Sequence, residues 1–318
     1  VGGFPHTPSR NWEFVFGPVA SRRLGWSLGV DILPPKTCTF DCIYCEAGRT
    51  TLKTVDRLPY ISKERILEEV KRYLEEMHPV PDVITITASG EPTLHQDLDW
   101  ILARIKRLTP LPLAVLTNGS LLHLEAVRKA LLPADVVIPS LDAARESSFR
   151  AVNRPHPDLD LSAIVEGLVQ FRRDFPNQLW LEILLVRGVN DSEEDLSLLE
   201  KIVPRIRPDR IQLNTVVRPP ALQGVLPVDP PVLEALCGRL GKRAEIIASF
   251  PRSDRQIQGS CTEEDILRML KRRPCGMKEI STALDVPLTE LEALMHRLVR
   301  DKRVHRRMHS GASYFQVS

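Results

Sequence analysis

The sequence predicts an α/β fold: an incomplete (β/α)6 barrel of the TIM type within residues 1–250, a linker at 251–261, and a small winged helix-turn-helix domain at 262–318. Three observations predict it. Between Ser27 and Pro219 short β-branched or aliphatic runs alternate with amphipathic segments, the pattern of βαβ units on a mainly parallel sheet. Six such units fit into that stretch, short of the eight that close a barrel. A doubly wound open sheet is the alternative that the same alternation allows. Beyond the linker the alternation stops, and three helical segments precede two short strands.

The first strand is expected at 28–33 and the first helix at 63–76, where Ile66, Val70 and Leu74 share one face. Further strands are expected at 83–87, 113–117, 136–139, 179–186 and 211–217. The helices between them fall near 97–108, 122–131, 161–171 and 193–206. A polar stretch from Arg252 to Ser260 marks the domain boundary. The second domain reads as helices at 263–272, 277–284 and 287–301, then two strands around 309–312. Thr262 is the expected N-cap of its first helix, and Pro274-Cys275-Gly276 and Val286-Pro287 punctuate its turns.

Composition narrows the function classes. With 43 Lys and Arg against 41 Asp and Glu in 318 residues, net charge alone argues for no nucleic acid, and 43% hydrophobic content excludes a disordered chain. No apolar run reaches the roughly eighteen residues of a membrane-spanning helix. The opening Val1-Gly2-Gly3-Phe4-Pro5-His6 lacks the basic head and apolar core of an export signal, so a cytoplasmic protein with no membrane partner is expected. Six cysteines are too few for a disulfide framework in a chain of this length. Three of them, Cys38, Cys42 and Cys45, crowd into one loop and read as metal ligands.

Those three thiols are set at intervals of three and two residues directly after the first strand. A loop of this kind can wrap one cubic iron-sulfur cluster. Three ligands for four irons leave one iron open, able to chelate the amino and carboxylate groups of S-adenosylmethionine. A structural zinc site is the competing reading, but it wants two close ligand pairs and no second pair is present. Inert core thiols are the other, against which the polar neighbours Thr37, Thr39 and Asp41 argue.

The CxxxCxxC spacing, with aromatic Tyr44 before the last cysteine, resembles the radical S-adenosylmethionine superfamily. The resemblance implies a 4Fe-4S cluster on Cys38, Cys42 and Cys45, S-adenosylmethionine as cofactor, a low-potential reductase as electron donor, and a 5'-deoxyadenosyl radical that abstracts hydrogen from a substrate. The remaining strand ends agree with it. After the second strand comes Ala88-Ser89-Gly90-Glu91, similar to the Gly-Gly-Glu segment that holds the methionine amino group in that superfamily, with Ser89 in the first place. There Gly90 lets backbone approach a ligand and Glu91 offers a carboxylate to an ammonium. By the same resemblance Asn118, Ser140 and Asp142 meet the ribose and methionine carboxylate, Asn214 lines the adenosine site, and Tyr44 lies against the adenine. As a lone feature, Asn118-Gly119 would be a turn and Asp142 a helix cap.

Around the cysteines, the segments 21–30 and 46–54 look like a narrower bacterial and archaeal group related to the tRNA wyosine synthases and, more loosely, to the nitrogenase-cofactor assembly protein. The second set of three cysteines expected of a wyosine synthase is not found. Lys36, Arg49 and Lys53 are the candidate catalytic residues. Together with Arg22, Arg23 and Arg154 they are loop cations that suit a carboxylate or phosphate. Cys237, Cys261 and Cys275 are read as buried thiols, with a second cluster as the alternative. Five of the positives of the second domain fall within residues 300–307, a stripe that can grip phosphates or face solvent. The substrate is therefore expected to be an RNA base, with tRNA presented by the winged domain, or else a peptide, protein or metallocofactor precursor. The rival from another class is an iron-sulfur regulator that binds DNA.

Overall fold

The computed structural model describes residues 12–76, 80–87, 89–247, 261–284, 286–309 and 311–317. Ala88 and all of the expected linker except Cys261 lie outside the described residues. The chain begins with β1 (Val15–Ser21) and β2 (Gly25–Asp31), an antiparallel pair, followed by the two-residue strands β3 (Thr37–Cys38) and β4 (Leu52–Lys53). Then α1 (Lys63–Glu75), β5 (Val83–Thr87), α2 (Leu98–Leu108), β6 (Leu113–Thr117), α3 (Glu125–Ala130) and β7 (Val136–Pro139) alternate. Two helices, α4 (Glu146–Asn153) and α5 (Leu161–Asp174), precede β8 (Gln178–Leu185). The first unit closes with α6 (Glu193–Ile206), β9 (Arg210–Thr215), α7 (Pro230–Leu240) and β10 (Ala244–Ile246).

The main sheet has eight strands in the order β1-β2-β5-β6-β7-β8-β9-β10. All neighbours pair in parallel except β1 with β2. Each expected strand is present, and the sheet gains two that the sequence reading left out. Gly17-Pro18 inside β1 reads as a turn, yet an edge strand tolerates a proline because its outward N–H has no ladder to join. The other addition, β10, is only three residues long. The helix α7 was also left out, although Asp229 as N-cap with Pro230 at the first helical position is a recognisable start.

A single ion pair shows that the sheet curls. Arg23, on the turn after β1, places Nη1 2.7 Å from Glu182 Oε2 on β8. In a flat sheet β2 and β8 would be four strand spacings apart, about 19 Å. No arginine side chain spans that gap, so the strands bend around a common interior, and among the described residues β1 and β10 remain the sheet's two edges, consistent with a partial barrel.

Burial and capping explain the helices. Ser62 caps α1 by accepting from the Arg65 amide at 3.4 Å, and the helix buries Ile66, Val70 and Tyr73, with the expected Leu74 half-buried against the same core. Leu28, Val30, Ile84, Ile86 and Val115 of the strands meet Leu98, Ile101 and Leu102 of α2 in one continuous apolar core.

A second, smaller core lies in the C-terminal unit: α8 (Glu263–Arg272), α9 (Met277–Leu284), α10 (Leu288–Arg300), β11 (Val304–His309) and β12 (Ala312–Val317). Thr262 caps α8 in a reciprocal box with Asp265. β11 and β12 form an antiparallel hairpin. The helix α9 packs on β1, and the Tyr314 hydroxyl donates to the Val217 carbonyl at 2.7 Å, so the unit rests on both the first strand and the segment leaving β9. Among the described residues no helix is long and apolar enough to cross a membrane.

Candidate active site

The cysteine loop is stitched to two neighbours and to itself. Its start is tied to the end of β5 by two backbone bonds, Lys36 N–H to Ser89 O at 2.6 Å and Glu91 N–H to Thr37 O at 3.0 Å. Between them Gly90 is so close that a Cβ built on it would lie 1.8 Å from the Thr37 carbonyl oxygen. Only glycine permits that approach, so the motif at the second strand end works here as a strap across the loop. The middle of the loop docks on α4: the Asp41 and Ile43 amides each donate to a carbonyl of Asn153 and Val152 at 3.0 Å, and Phe40 meets Phe149 edge to face. The loop is closed by Asp41, whose carboxylate accepts from the Thr50 amide at 2.8 Å.

Glu91 is buried at the end of β5. Its carboxylate is 1% exposed and accepts four bonds, from the Thr93 amide (3.0 Å) and hydroxyl (2.6 Å), the Thr117 hydroxyl (2.6 Å) and the Asn118 amide (2.6 Å). Burial pushes its pKa up and those donors oppose the push. The side chain thus ties the end of β5 to the end of β6.

Asn118, Ser140 and Asp142 do come together. With Asn153, Phe40 and Phe149 they line one small cavity against the cysteine loop. Asp142 Oδ2 accepts from the Tyr44 hydroxyl at 2.5 Å and from Asn153 Nδ2 at 2.7 Å, while its Oδ1 accepts from the Leu184 amide at 3.0 Å. Burial raises Asp142 to about 6 against these bonds. The Tyr44 side chain is accordingly committed to Asp142 through its hydroxyl.

Each cysteine sulfur has an N–H donor. Cys38 receives the Phe40 amide at 3.5 Å and Asn118 Nδ2 at 3.6 Å, Cys42 receives Asn153 Nδ2 at 3.4 Å, and Cys45 has Lys36 Nζ at 3.8 Å. Burial pushes the Cys38 thiol up to about 12, helped by the Glu91 carboxylate. Burial also pushes Cys42 well above the usual thiol range, followed by the charges of Asp142, Cys38 and Cys45, so the three sulfurs are electrostatic neighbours. Half-buried thiols with donors aimed at them suit a group that supplies positive charge and sulfur-bound metal. Among the described residues no three His, Cys, Asp or Glu side chains are grouped to hold a single metal ion. In a cubic cluster each cysteine binds its own iron, so its ligands need not converge as those of one zinc do.

Asn214 lies in a second polar layer inside the curled sheet. It accepts from Arg22 Nη1 at 2.9 Å and donates to Glu182 at 2.9 Å, and Arg23 Nη1 reaches Gln212 at 3.3 Å. Burial alone would raise the Glu182 carboxyl, but Arg23 brings it below its usual range. Deeper still, Arg218 is 1% exposed and makes 2.5 Å bonds to Glu46, next to Cys45, and to Glu279 of α9. Burial would raise Glu46, yet Arg218 and then Arg22 hold it at about 2.

Two of the three candidate catalytic cations are not in the interior. Arg49 is exposed and stands 3.5 Å from Asp41, while Lys53 donates to the carbonyls of Arg154 and Pro155 at 3.3 Å each. Lys36 is in place beside Cys45. The remaining cysteines are apart: Cys237 packs at the edge of the large core and donates to Ala244 O at 3.4 Å, whereas Cys261 and Cys275 belong to the small core. Asn153, Glu182 and Arg218 were missed by sequence reasoning. Asn153 ends a helix that was not expected, and the other two carry no motif.

A family model, the Radical SAM superfamily, matches residues 32–199, just over half of the chain. A Helicobacter pylori protein named UPF0026 protein is 35% identical over 305 residues, covering 92% of this chain and 96% of that protein. A Brachyspira hyodysenteriae protein named GTPase Obg is 36% identical over 307 residues and covers 96% of this chain, which spans only 45% of that protein's length. Among solved structures, a radical SAM methyltransferase from Sphaerobacter thermophilus superimposes with a TM-score of 0.53 at 15% identity, over 69% of this chain and 66% of that one, a likeness of fold.

Proposed function

The chain belongs to the radical SAM superfamily, as an enzyme, and to the UPF0026 proteins, and on this premise we propose that Cys38, Cys42 and Cys45 hold a 4Fe-4S cluster at which S-adenosylmethionine is reductively cleaved. One observation carries the proposal: the strap of Ser89, Gly90 and Glu91 and the donor Asn118 meet on the cysteine loop, so three strand ends converge where the cofactors would sit. When bound, the cluster and cofactor supply one-electron cleavage to methionine and a 5'-deoxyadenosyl radical, which takes hydrogen from the substrate.

The chain's own residues hold and orient. Asn118 and Asn153 donate to the sulfurs of Cys38 and Cys42 and fix the loop against β6 and α4. Asp142 fixes Tyr44, and Asn118, Ser140 and Asp142 stand together behind the cysteine loop around a small cavity. Arg22, Arg23, Glu182 and Asn214 form a second polar group in the interior, linked to the cysteine loop through the Arg22–Glu46 pair at 3.7 Å. The electron comes from a low-potential reductase.

The experiment is anaerobic reconstitution, reduction with dithionite and addition of S-adenosylmethionine, with Cys42→Ala as control. Formation of 5'-deoxyadenosine by the wild type alone supports the proposal. If S-adenosylmethionine is not cleaved and leaves the cluster's spectrum unperturbed, the proposal falls and the iron-sulfur regulator takes its place.

For the substrate we propose an RNA base, with the C-terminal unit acting as a winged helix that presents tRNA. Lys302, His305 and Arg306 on its hairpin side and His296 on α10 are exposed and support a phosphate contact. A specific observation favours the second reading, a peptide, protein or metallocofactor precursor. Arg297 and Arg303 are paired with Glu263, and Arg300 with Asp301, which reduces the charge left for phosphates. Retention of tRNA that weakens steeply with salt, and is lost in Lys302→Glu with Arg306→Glu, supports RNA; salt-insensitive retention or none supports the second reading.

A further inference from the structure

The donors at the three sulfurs are unequal. Asn118, Asn153 and the Phe40 amide bring dipoles, whereas Lys36 brings a full positive charge to Cys45. Its position is built by the backbone. Lys36 has φ +66, in the left-handed region that a residue with a side chain adopts only under strain. That conformation is locked by its own N–H on Ser89 O and by its carbonyl, which accepts from the Thr51 and Leu52 amides at 3.1 Å each. The ammonium is then anchored 2.6 Å from the carbonyl of Gly48, at the far end of the loop. Glycine would make the same turn without strain, so a lysine held there points to a use for its side chain.

The charges around the loop indicate that use. Carboxylates stand near two of the sulfurs: Asn153 Nδ2 is shared between Asp142 Oδ2 at 2.7 Å and the Cys42 sulfur at 3.4 Å, and Asn118 donates its amide to Glu91 at 2.6 Å and its Nδ2 to Cys38 at 3.6 Å. A reduced cluster carries one more negative charge than an oxidised one, and buried carboxylates oppose it. Lys36 is a cation that acts the other way, with its Nζ 3.8 Å from the sulfur of Cys45.

We propose that Lys36 is a positioning residue that raises the reduction potential of the cluster through its ammonium at Cys45, bringing it within reach of the electron donor. This rests on the cluster reading given above. Hydrogen bonds and charge near the sulfurs are established levers on such potentials.

The test compares anaerobically reconstituted full-length wild type with Lys36→Met, Lys36→Gln, Lys36→Arg and Lys53→Met, reading iron and sulfide content and the midpoint of the one-electron couple by titration followed with electron paramagnetic resonance. Lys53 is the control because its ammonium rests on carbonyls of Arg154 and Pro155. The expected result is a midpoint lowered in Lys36→Met by a tenfold change in the reduction equilibrium, about 59 mV for one electron. Lys36→Arg stays near the wild type, and so does Lys53→Met. An unchanged midpoint in Lys36→Met, or an equal shift in Lys53→Met, overturns the proposal. Should Lys36→Met load no iron, Lys36→Gln decides: a lowered midpoint supports the role and a wild-type midpoint overturns it. A wild type that assembles no cluster refutes the cluster reading itself, whereas a wild-type cluster with an indifferent Lys36 refutes only this inference.

Discussion

Replacing Gly90 by alanine puts the strap to a direct test. The added Cβ would stand 1.8 Å from the Thr37 carbonyl oxygen, whereas ordinary contact begins at 3.4 Å, so loop or strap must retreat by about 1.6 Å. The obstacle is backbone rather than the end of a flexible side chain, and it has little freedom to give. Retreat breaks the Lys36–Ser89 and Glu91–Thr37 backbone bonds, at about 1 kcal/mol each, with up to roughly 2 kcal/mol more if a buried carbonyl is left unpaired. A loss of about 2–4 kcal/mol corresponds to a fall in Tm of roughly 5–10 °C. The displaced residue is the neighbour of Cys38, so iron bound after reconstitution should fall more than the fold does. The assay is iron and sulfide content with the visible absorbance of the cluster, beside a melting curve of the protein without iron. Gly238→Ala is the control: Gly238 lies in α7 with no atom within 4 Å of the added Cβ, and alanine there should be neutral or stabilising by up to about 1 kcal/mol. Wild-type iron content and wild-type Tm in Gly90→Ala would refute the strap.

Other substitutions test the remaining supports. Arg218→Met leaves the carboxylates of Glu46 and Glu279 without their shared partner and should cost about 3–5 kcal/mol in denaturant unfolding; a loss under about 1 kcal/mol would contradict the buried triad. Glu69 accepts the Glu13, Phe14 and Val15 amides at 3.1, 2.7 and 2.7 Å, so Glu69→Ala should weaken the start of β1 by about 2–3 kcal/mol. Hydrogen exchange at Phe14 and Val15 should accelerate while that of β6 stays unchanged. The folded pKa of Glu182 lies below its unfolded value, so its contribution is present above the ordinary carboxylate range and is lost as pH falls through the folded pKa. Glu182→Gln should therefore flatten the acid side of the Tm–pH curve, and an acid side as steep as the wild type's would count against the Arg23 pair.

How much of this was legible follows from which interactions are local. The parallel strands from β2 to β9 announce themselves as aliphatic runs because both faces are covered, and α5 and α6 begin at capping residues, Asp160 and Ser192, that accept amide hydrogens of their own first turns. The cysteine spacing and the strand-end motif were legible for the same reason. The tie made by Glu91 was not: two of its four donors come from Thr117 and Asn118, on a strand end whose proximity is a fact of the fold. Arg22 and Arg23 read as loop cations that suit a carboxylate or phosphate, but nothing near them in sequence shows that the sheet curls and carries Glu182 and Asn214 to them. Arg49 and Lys53, with the same composition and a similar loop setting, lie outside.

The C-terminal unit is bound into the site, and this governs how its role can be tested. Arg218 connects Glu46, adjacent to Cys45, with Glu279 on α9, and Arg272 of α8 pairs with Asp31 at the end of β2 at 2.8 Å. Tyr314 and Arg307 hold the carbonyls of Val217 and Pro220. Deleting residues 262–318 would remove the partner of a buried arginine two bonds from the cysteine loop, so lost product after truncation would not separate substrate presentation from damage to the site. Substitutions on the free side do separate them. Lys302→Glu with Arg306→Glu touches neither Arg218 nor the docking carbonyls, and both positions are exposed. Cluster content and cleavage of S-adenosylmethionine should then remain at wild-type levels while substrate turnover falls at least tenfold. Unchanged turnover would mean that this face does not present substrate, and a parallel loss of cluster would mean that even the free side of the unit supports the cysteine loop.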